Sequence, residues 1–451
     1  MIFHSNTIRR FPVFNRLFLA LTPFLFVGAN WAEFLPQIQQ IEINSELPVN
    51  WAPGEGIAWT ADIVGDGQSS PVVWDDTVIV TSVNGEMKDK NVITCYSVTT
   101  GEKLWEKSLE SSFKVKSSLY VSRAAPTPAA DESGVFVFFE SGDLIALDWK
   151  GNTRWERKLT TEFGEIKADF GLSGSLAQHG SSIFVLVEND GPSYLTAVNK
   201  DDGKTVWKAD RSSRISWSSP VVMSLSGVPQ VVVSSTGFVD GYDLKTGNVL
   251  WSIDGLAGNT VATPSKVDEN SFIVGASPGR DGKDAGPAAE SNLLVRVSSV
   301  DGRLQATIPW RAEKALASFS TPLAHQGLGY WINRTGVVQC VDLTDGSSVY
   351  SERLDESSWA TPIATQGHVY SFGKDGVTTV FATGREFKKI ASNRLWDPAT
   401  VNADPGTAIK EESAEKRAAA ANFSGSIQYG VAVAGDRFLV RTGNRLYAVG
   451  K

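Results

Sequence analysis

The chain repeats itself, and no other property limits its fold so sharply. Residues 242–251 read "YDLKTGNVLW". Related phrases are "YSVTTGEKLW" (96–105), "LDWKGNTRW" (147–155), "VNKDDGKTVW" (198–207), "VSSVDGRLQA" (297–306) and "VDLTDGSSVY" (341–350). The last residue stands four places after the glycine in each: Trp105, Trp155, Trp207 and Trp251, with Ala306 and Tyr350 as departures. Ahead of the units stand short strand starts: "SSPVVW" (69), "PTPAAD" (126), "SGSLAQ" (173), "SSPVVM" (218), "ATPSKV" (262), "STPLAH" (320), "ATPIAT" (360) and "SGSIQY" (424).

Each unit divides into four short strands, A to D. Strand A follows the Ser/Thr-Pro start, B is exemplified by "PQVVVSS", C by "GFVDGYDL", and D begins near the tryptophan. The glycine between C and D supplies the positive φ that a tight hairpin requires. Short strands with a turn-and-aromatic motif once per unit indicate a β-propeller. The 41 Gly, 14 Trp and 22 Phe agree, since turns and aromatic packing favour an all-β chain. The last unit stops after its C strand, while "GIAWTADI" (56–63) is an orphan D-like strand carrying Trp59. Pairing the two closes the ring and removes its open edges. The expectation is therefore an eight-bladed β-propeller of four-stranded blades over 56–451. The D-strand rings Trp59, Trp105, Trp155, Trp207, Trp251 and Tyr350 would dock neighbouring blades.

Residues 1–29 read as an export signal. Arg9, Arg10 and Arg16 precede the apolar run Leu17–Val27, and Val27 and Ala29 suit cleavage after Ala29. An uncleaved signal would instead anchor the chain. No other stretch reaches the ~18 apolar residues of a spanning helix, so the remainder reads as soluble. Removing the three arginines with the signal takes the net charge from −8 to −11, which argues against nucleic acid as a partner. Residues 30–55 form a lead-in. The Gly/Pro-rich 277–292 reads as a flexible loop inside blade five. The 397–423 connection carries the helix-favouring run "AIKEESAEKRAAAA", either a short helix over one rim or a solvated linker.

Chemistry is sparse. Cys95 and Cys340 read as small buried strand residues. His179, His325 and His368 fall in or beside A–B turns of separate blades, in no zinc or nucleophile pattern. The acidic loops lack calcium-ligand spacing. Asn333 and Asn422 match the glycosylation sequon, a weak signal. The one convergent set lies in the turns entering the inner strands, where "ISWSSP", "ASFSTP", "SSWATP" and "ANFSGS" place Trp217, Phe319, Trp359 and Phe423 in register. Arg123 and Arg214 occupy comparable turns. Aromatics and arginines at a channel mouth suit a peptide, a glycan or an anionic small molecule. Alternatively, the rings seal the channel or pack between blades.

The repeat phrases with their Ser-Ser-Pro starts resemble the pyrroloquinoline-quinone (PQQ)-repeat propellers of the quinoprotein alcohol dehydrogenase-like superfamily. The resemblance covers about residues 48–451 and implies the eight-bladed fold. Catalytic members of that superfamily use a vicinal cysteine disulfide, a calcium held by acidic and amide side chains, and an aspartate base. Cys95 and Cys340 lie 245 positions apart, and no calcium or base position matches. The chain is instead similar to exported, non-catalytic bacterial members, of the type of the propeller subunit of the outer-membrane β-barrel assembly machinery. It lacks that subunit's lipidated cysteine. The resemblance implies a periplasmic or secreted scaffold or ligand-binding module, without cofactor or metal, whose partners are envelope or secreted proteins, a peptide or a glycan. The alternative is a PQQ-dependent oxidoreductase requiring the quinone and calcium.

Overall fold

The computed structural model describes residues 30–36, 46–258, 260–279, 282–312, 314–399 and 425–451, with Met1, Glu411, Ala414, Arg417, Ala420 and Phe423. The expected export signal, Met1 aside, and Asn422 lie outside the described residues. Eight four-stranded antiparallel sheets form the blades of a β-propeller. In blade one the strands are Val72–Trp74 (A), Thr77–Asn84 (B), Lys90–Ser97 (C) and Lys103–Glu110 (D). Blade eight takes Gly430–Ala434, Arg437–Arg441 and Arg445–Val449 from the end of the chain, and its fourth strand, Ile57–Asp62, from the beginning. Thr60 lies opposite Tyr447 and Ala61 opposite Leu446. The orphan N-terminal strand thus closes the ring, as its repeat position predicts.

Antiparallel alternation gives the ring two faces. The D–A connections and B–C turns share one face, and the A–B and C–D turns share the other. His179 and His325 end inner strands and His368 begins a B strand, so all three sit by A–B turns.

The Ser/Thr-Pro starts stitch the inner strands to one another. Proline has no N–H to donate, and the residue before it is held extended, so that residue's own N–H points sideways. Ser70 N–H donates to Thr127 Oγ1 at 2.8 Å and Thr127 N–H to Ser175 Oγ at 3.1 Å. Ser175 N–H then donates to Ser219 Oγ at 3.0 Å, and Ser219 N–H to Thr263 Oγ1 at 3.0 Å. Thr263 N–H reaches Thr321 Oγ1 at 3.1 Å. The hydroxyls of Thr127, Ser175, Ser219, Thr263 and Thr321 are therefore clasps for the preceding blade, and all but Ser175 stand just before a proline.

The recurrent tryptophans join the blades farther out. Trp207 Nε1–H donates to Leu244 O of the next blade at 2.9 Å. A Cβ on Gly247, whose φ is 70°, would come within 2.5 Å of the Trp207 ring. The glycine thus serves both its own turn and the neighbour's indole. Trp59 to Val98 O (2.9 Å), Trp105 to Trp149 O (3.0 Å) and Trp155 to Lys200 O (2.8 Å) repeat the bond. Directly across from each of these rings, within the blade, stands a small C-strand residue. Cys95 faces Trp105, Ala146 faces Trp155, Ala197 faces Trp207 and Cys340 faces Tyr350. This explains the two cysteines: both are unpaired and buried, and burial pushes each thiol up to about 12.

Two docking positions differ from the sequence expectation. Trp251 is buried and packs on Phe272 of blade five, but its indole N–H donates to Gln230 of its own blade. The reason lies in blade five. Its C–D hairpin turns through Asp301 and Gly302, both at positive φ, with Val300 paired directly to Arg303. That turn offers the indole neither a seat nor a carbonyl. Blade five's own docking ring is Trp310, not residue 306: it donates to Leu343 O at 3.2 Å and seats on Gly346. Tyr350 meets Phe387, in blade seven's C–D turn, at 5.8 Å.

The described parts of the two inserted segments make specific contacts. In the segment 277–292, expected as a flexible loop, the described residues include the helix Ala285–Glu290, with Ala288 buried and the Asn292 amide donating to Ala276 O and Ala288 O. In the 397–423 connection, the described Ala414, Arg417 and Ala420 are helical. The Glu411 carboxylate accepts from Ser118 Oγ and Leu119 N–H of the blade one–two connection. No helix among the described residues is long and apolar enough to cross a membrane.

Candidate functional site at the channel mouth

The turns entering the inner strands converge on the face that carries the D–A connections. Phe319 and Trp359 stack there, 4.1 Å apart and 7° from parallel. Trp359 meets Phe423 edge-on at 5.1 Å and Tyr429 at 5.7 Å. Phe423 continues to Tyr120 at 5.4 Å, Tyr120 to Phe170 at 5.3 Å, and Phe170 to Trp217 at 6.2 Å. The four aromatic residues singled out from the sequence are therefore brought together in one arc. They enclose a cavity of about 440 Å³. Tyr120 and Phe170 went unrecognised because they stand farther ahead of their strand starts than Trp217 does of Ser219. The legible signal is an aromatic residue in the connections entering blades two, three, four, six, seven and eight; those entering blades one and five have none.

The arginines behave otherwise. Arg123 is 2% exposed. Its Nε pairs with Asp66 Oδ1 at 3.0 Å, Nη1 donates to Ser118 O at 2.6 Å, and Nη2 reaches Tyr429 Oη at 3.3 Å. It braces the wall and presents no charge to the cavity. Arg214 lies outside the lining, its guanidinium 4.4 Å over Phe238 and its Nη1 on Ser235 Oγ at 3.1 Å. The expected arginine-assisted capture of an anion is thus not the geometry found. Among the described residues, the polar groups that line the cavity below the rings are neutral: Gln68, Ser70 and the clasp hydroxyls of Thr127, Ser175, Ser219 and Thr263.

The floor comes from the lead-in, which the repeat gave no reason to place there. Residues 30–36 cross the inner strands of blades one to three. Val73 N–H donates to Trp31 O at 2.8 Å and Ala130 N–H to Ala32 O at 2.8 Å. Gln178 N–H donates to Glu33 Oε2 at 3.2 Å. Phe34 then enters the cavity lining from below. Glu33 keeps part of its surface open, yet burial inside the ring pushes its carboxyl up to about 8 against the pull of Lys200.

A family model described as outer membrane protein assembly factor BamB matches residues 49–170 and 165–349, together more than half of the chain. The chain belongs to this family. It is similar to the BamB of Burkholderia pseudomallei, 26% identical over 214 residues, which is 46% of this chain and 50% of that protein. The BamB of Shewanella oneidensis is 22% identical over 224 residues, 49% of this chain and 51% of that protein. The chain thus spans about half the length of the curated relatives it matches. Among solved structures, BamB from Moraxella catarrhalis aligns with a TM-score of 0.57 at 15% identity, covering 87% of this chain and 97% of that one. A computationally designed protein, Ika8, aligns with a TM-score of 0.53 at 12% identity, covering 86% and 98%. These structural likenesses concern the fold alone.

The resemblance to the quinone-repeat propellers implies a pyrroloquinoline quinone held with calcium. Among the described residues the cavity lining presents no carboxylate to hold calcium or act as a base, and no cation to meet an acidic quinone. Cys95 and Cys340 are buried in blades one and six. Among the described residues no group of three or more His, Cys, Asp and Glu is placed to hold a metal ion. The residues present do not fit that cofactor.

Proposed function

We propose that this protein is an exported, non-catalytic propeller that scaffolds protein contacts in the cell envelope. One observation carries the reading: among the described residues, the only ionisable side chains in the cavity lining at the channel mouth, the natural place for chemistry in this fold, are tyrosines. Membership of a family described as outer membrane protein assembly factor BamB supports the envelope setting. The partners on this reading are envelope proteins, met through surfaces that do not repeat from blade to blade. Fold likeness alone sets no activity, so the test is direct. Capture of the exported chain from crosslinked envelopes is expected to enrich outer-membrane proteins. Quinone- and calcium-dependent oxidation of alcohols or sugars by the purified chain would refute the scaffold reading and restore the oxidoreductase.

A further inference from the structure

We propose that the mouth cavity is a receptor for one aromatic side chain of an uncharged, extended peptide segment belonging to a partner protein. The inference rests on the scaffold reading and names what that scaffold grips.

Three observations point to this ligand. The first is charge: among the described residues, the lining holds seven aromatic side chains around the mouth, besides Phe34 below, and no carboxylate, lysine or arginine. Seating a charged group there would strip its water without a counter-ion, which is costly. A neutral, flat, apolar group loses little water and gains ring contacts on several sides. Phe319, stacked on Trp359 through one face and 37% exposed, leaves ring surface for an incoming group.

The second is the polarity of the inner wall. The hydroxyl oxygens of Thr127, Ser175, Ser219 and Thr263 already accept a backbone N–H from the preceding blade. Their remaining capacity includes the O–H hydrogen, a donor. Donors spaced from strand to strand suit the carbonyls of an extended backbone. Sugar recognition favours the side-chain carboxylates and amides that grip vicinal hydroxyls, and among the described residues this lining offers only Gln68, whose oxygen already accepts the Arg123 backbone N–H.

The third is that the chain itself shows the mode of binding. Residues 30–36 lie in the ring without helical structure. Their carbonyls accept N–H groups from inner strands, and Phe34 reaches into the cavity from below. An aromatic side chain on a peptide held by its carbonyls is already accommodated from the closed side. The open side offers the complementary seat.

The experiment uses the full mature chain and a fluorescein-labelled, amide-capped peptide, Ser-Gly-Thr-Trp-Thr-Gly-Ser, read by fluorescence anisotropy. Binding is expected to fall at least about tenfold when the peptide's Trp becomes Ala, the scale of one buried ring. It should fall similarly in Trp217→Ala and Phe319→Ala chains, and stay unchanged in Phe238→Ala, whose ring lies outside the cavity. Melting curves of each variant show that the fold persists; Phe319→Leu, which keeps apolar bulk but no ring, should retain the fold and still lose binding. The proposal is overturned if the Trp and Ala peptides bind alike or neither binds. It is also overturned if a neutral oligosaccharide, and not the peptide, binds with the same variant dependence. The scaffold reading is judged separately: envelope proteins captured equally by wild type and Phe319→Ala would leave the scaffold standing and remove the cavity from it.

Discussion

At the scale of a residue, the indole of Trp207 and the missing side chain of Gly247 are one device. The ring gains burial worth roughly 1.5–3 kcal/mol and a hydrogen bond to the next blade, and it can do so only because nothing projects from the glycine. Trp207→Ala is expected to destabilise the protein by about 3–5 kcal/mol in chemical denaturation. Gly247→Ala should cost about 1–3 kcal/mol through backbone strain at φ 70°, before any displacement of the ring is counted. A double-mutant cycle tests whether they act together: the combined loss should be smaller than the sum, because Ala at 247 has no indole to clash with once Trp207 is gone. Additive losses would show that the two positions are independent.

At the scale of an element, the inner strand is held by the hydroxyl residue of the start that precedes it. Thr127→Val keeps the shape but removes the acceptor for Ser70 N–H, leaving a buried donor unpaired at a cost of about 1–3 kcal/mol. Thr127→Ser should retain most of the stability. The comparison is read as the shift in urea midpoint at constant m-value. The segment 30–36 brings a pH dependence. Its Glu33 carboxyl binds a proton up to about pH 8 when docked and only to its ordinary 4.5 when free. Docking therefore contributes fully below about pH 4.5, weakens as pH rises, and levels off above about 8. Hydrogen exchange at residues 30–36 is expected to quicken across that window. In Glu33→Gln, which stays neutral, the dependence should flatten; an unchanged profile would place the titration elsewhere.

At the scale of the molecule, the ring is closed by one strand from the far end of the chain. Ile57–Asp62 supplies the outer edge of blade eight, and its Trp59 also docks on blade one. Ala61→Pro interrupts this strand at a position paired with Leu446. It is expected to lower the melting temperature and to expose the neighbouring blades early, seen as a separate first transition in calorimetry. A single transition at the wild-type temperature would mean that closure rests on other contacts.

The repeat was legible because a propeller asks the same thing of every blade, and the same demand leaves the same residues. Ser/Thr-Pro starts, C–D glycines and docking tryptophans are local solutions, so blade number, strand order and ring closure could be read from the chain. Blade five misled because a hairpin's geometry depends on how both strands pair: "VDGRLQA" matches the phrase, yet its directly paired turn moved the docking role to Trp310. The mouth was legible in part. Trp217, Phe319, Trp359 and Phe423 share a register, whereas Tyr120 and Phe170 reach the same arc from farther along their connections. Charge was the least legible property. Arg123 and Arg214 stand in turns like those of the aromatics, but side-chain direction depends on partners distant in sequence: Asp66 and Tyr429 take up the first, and Phe238 lies under the second. That Phe34 would floor the cavity follows from no local pattern at all, because the docking of residues 30–36 depends on three inner strands that only the closed ring places side by side.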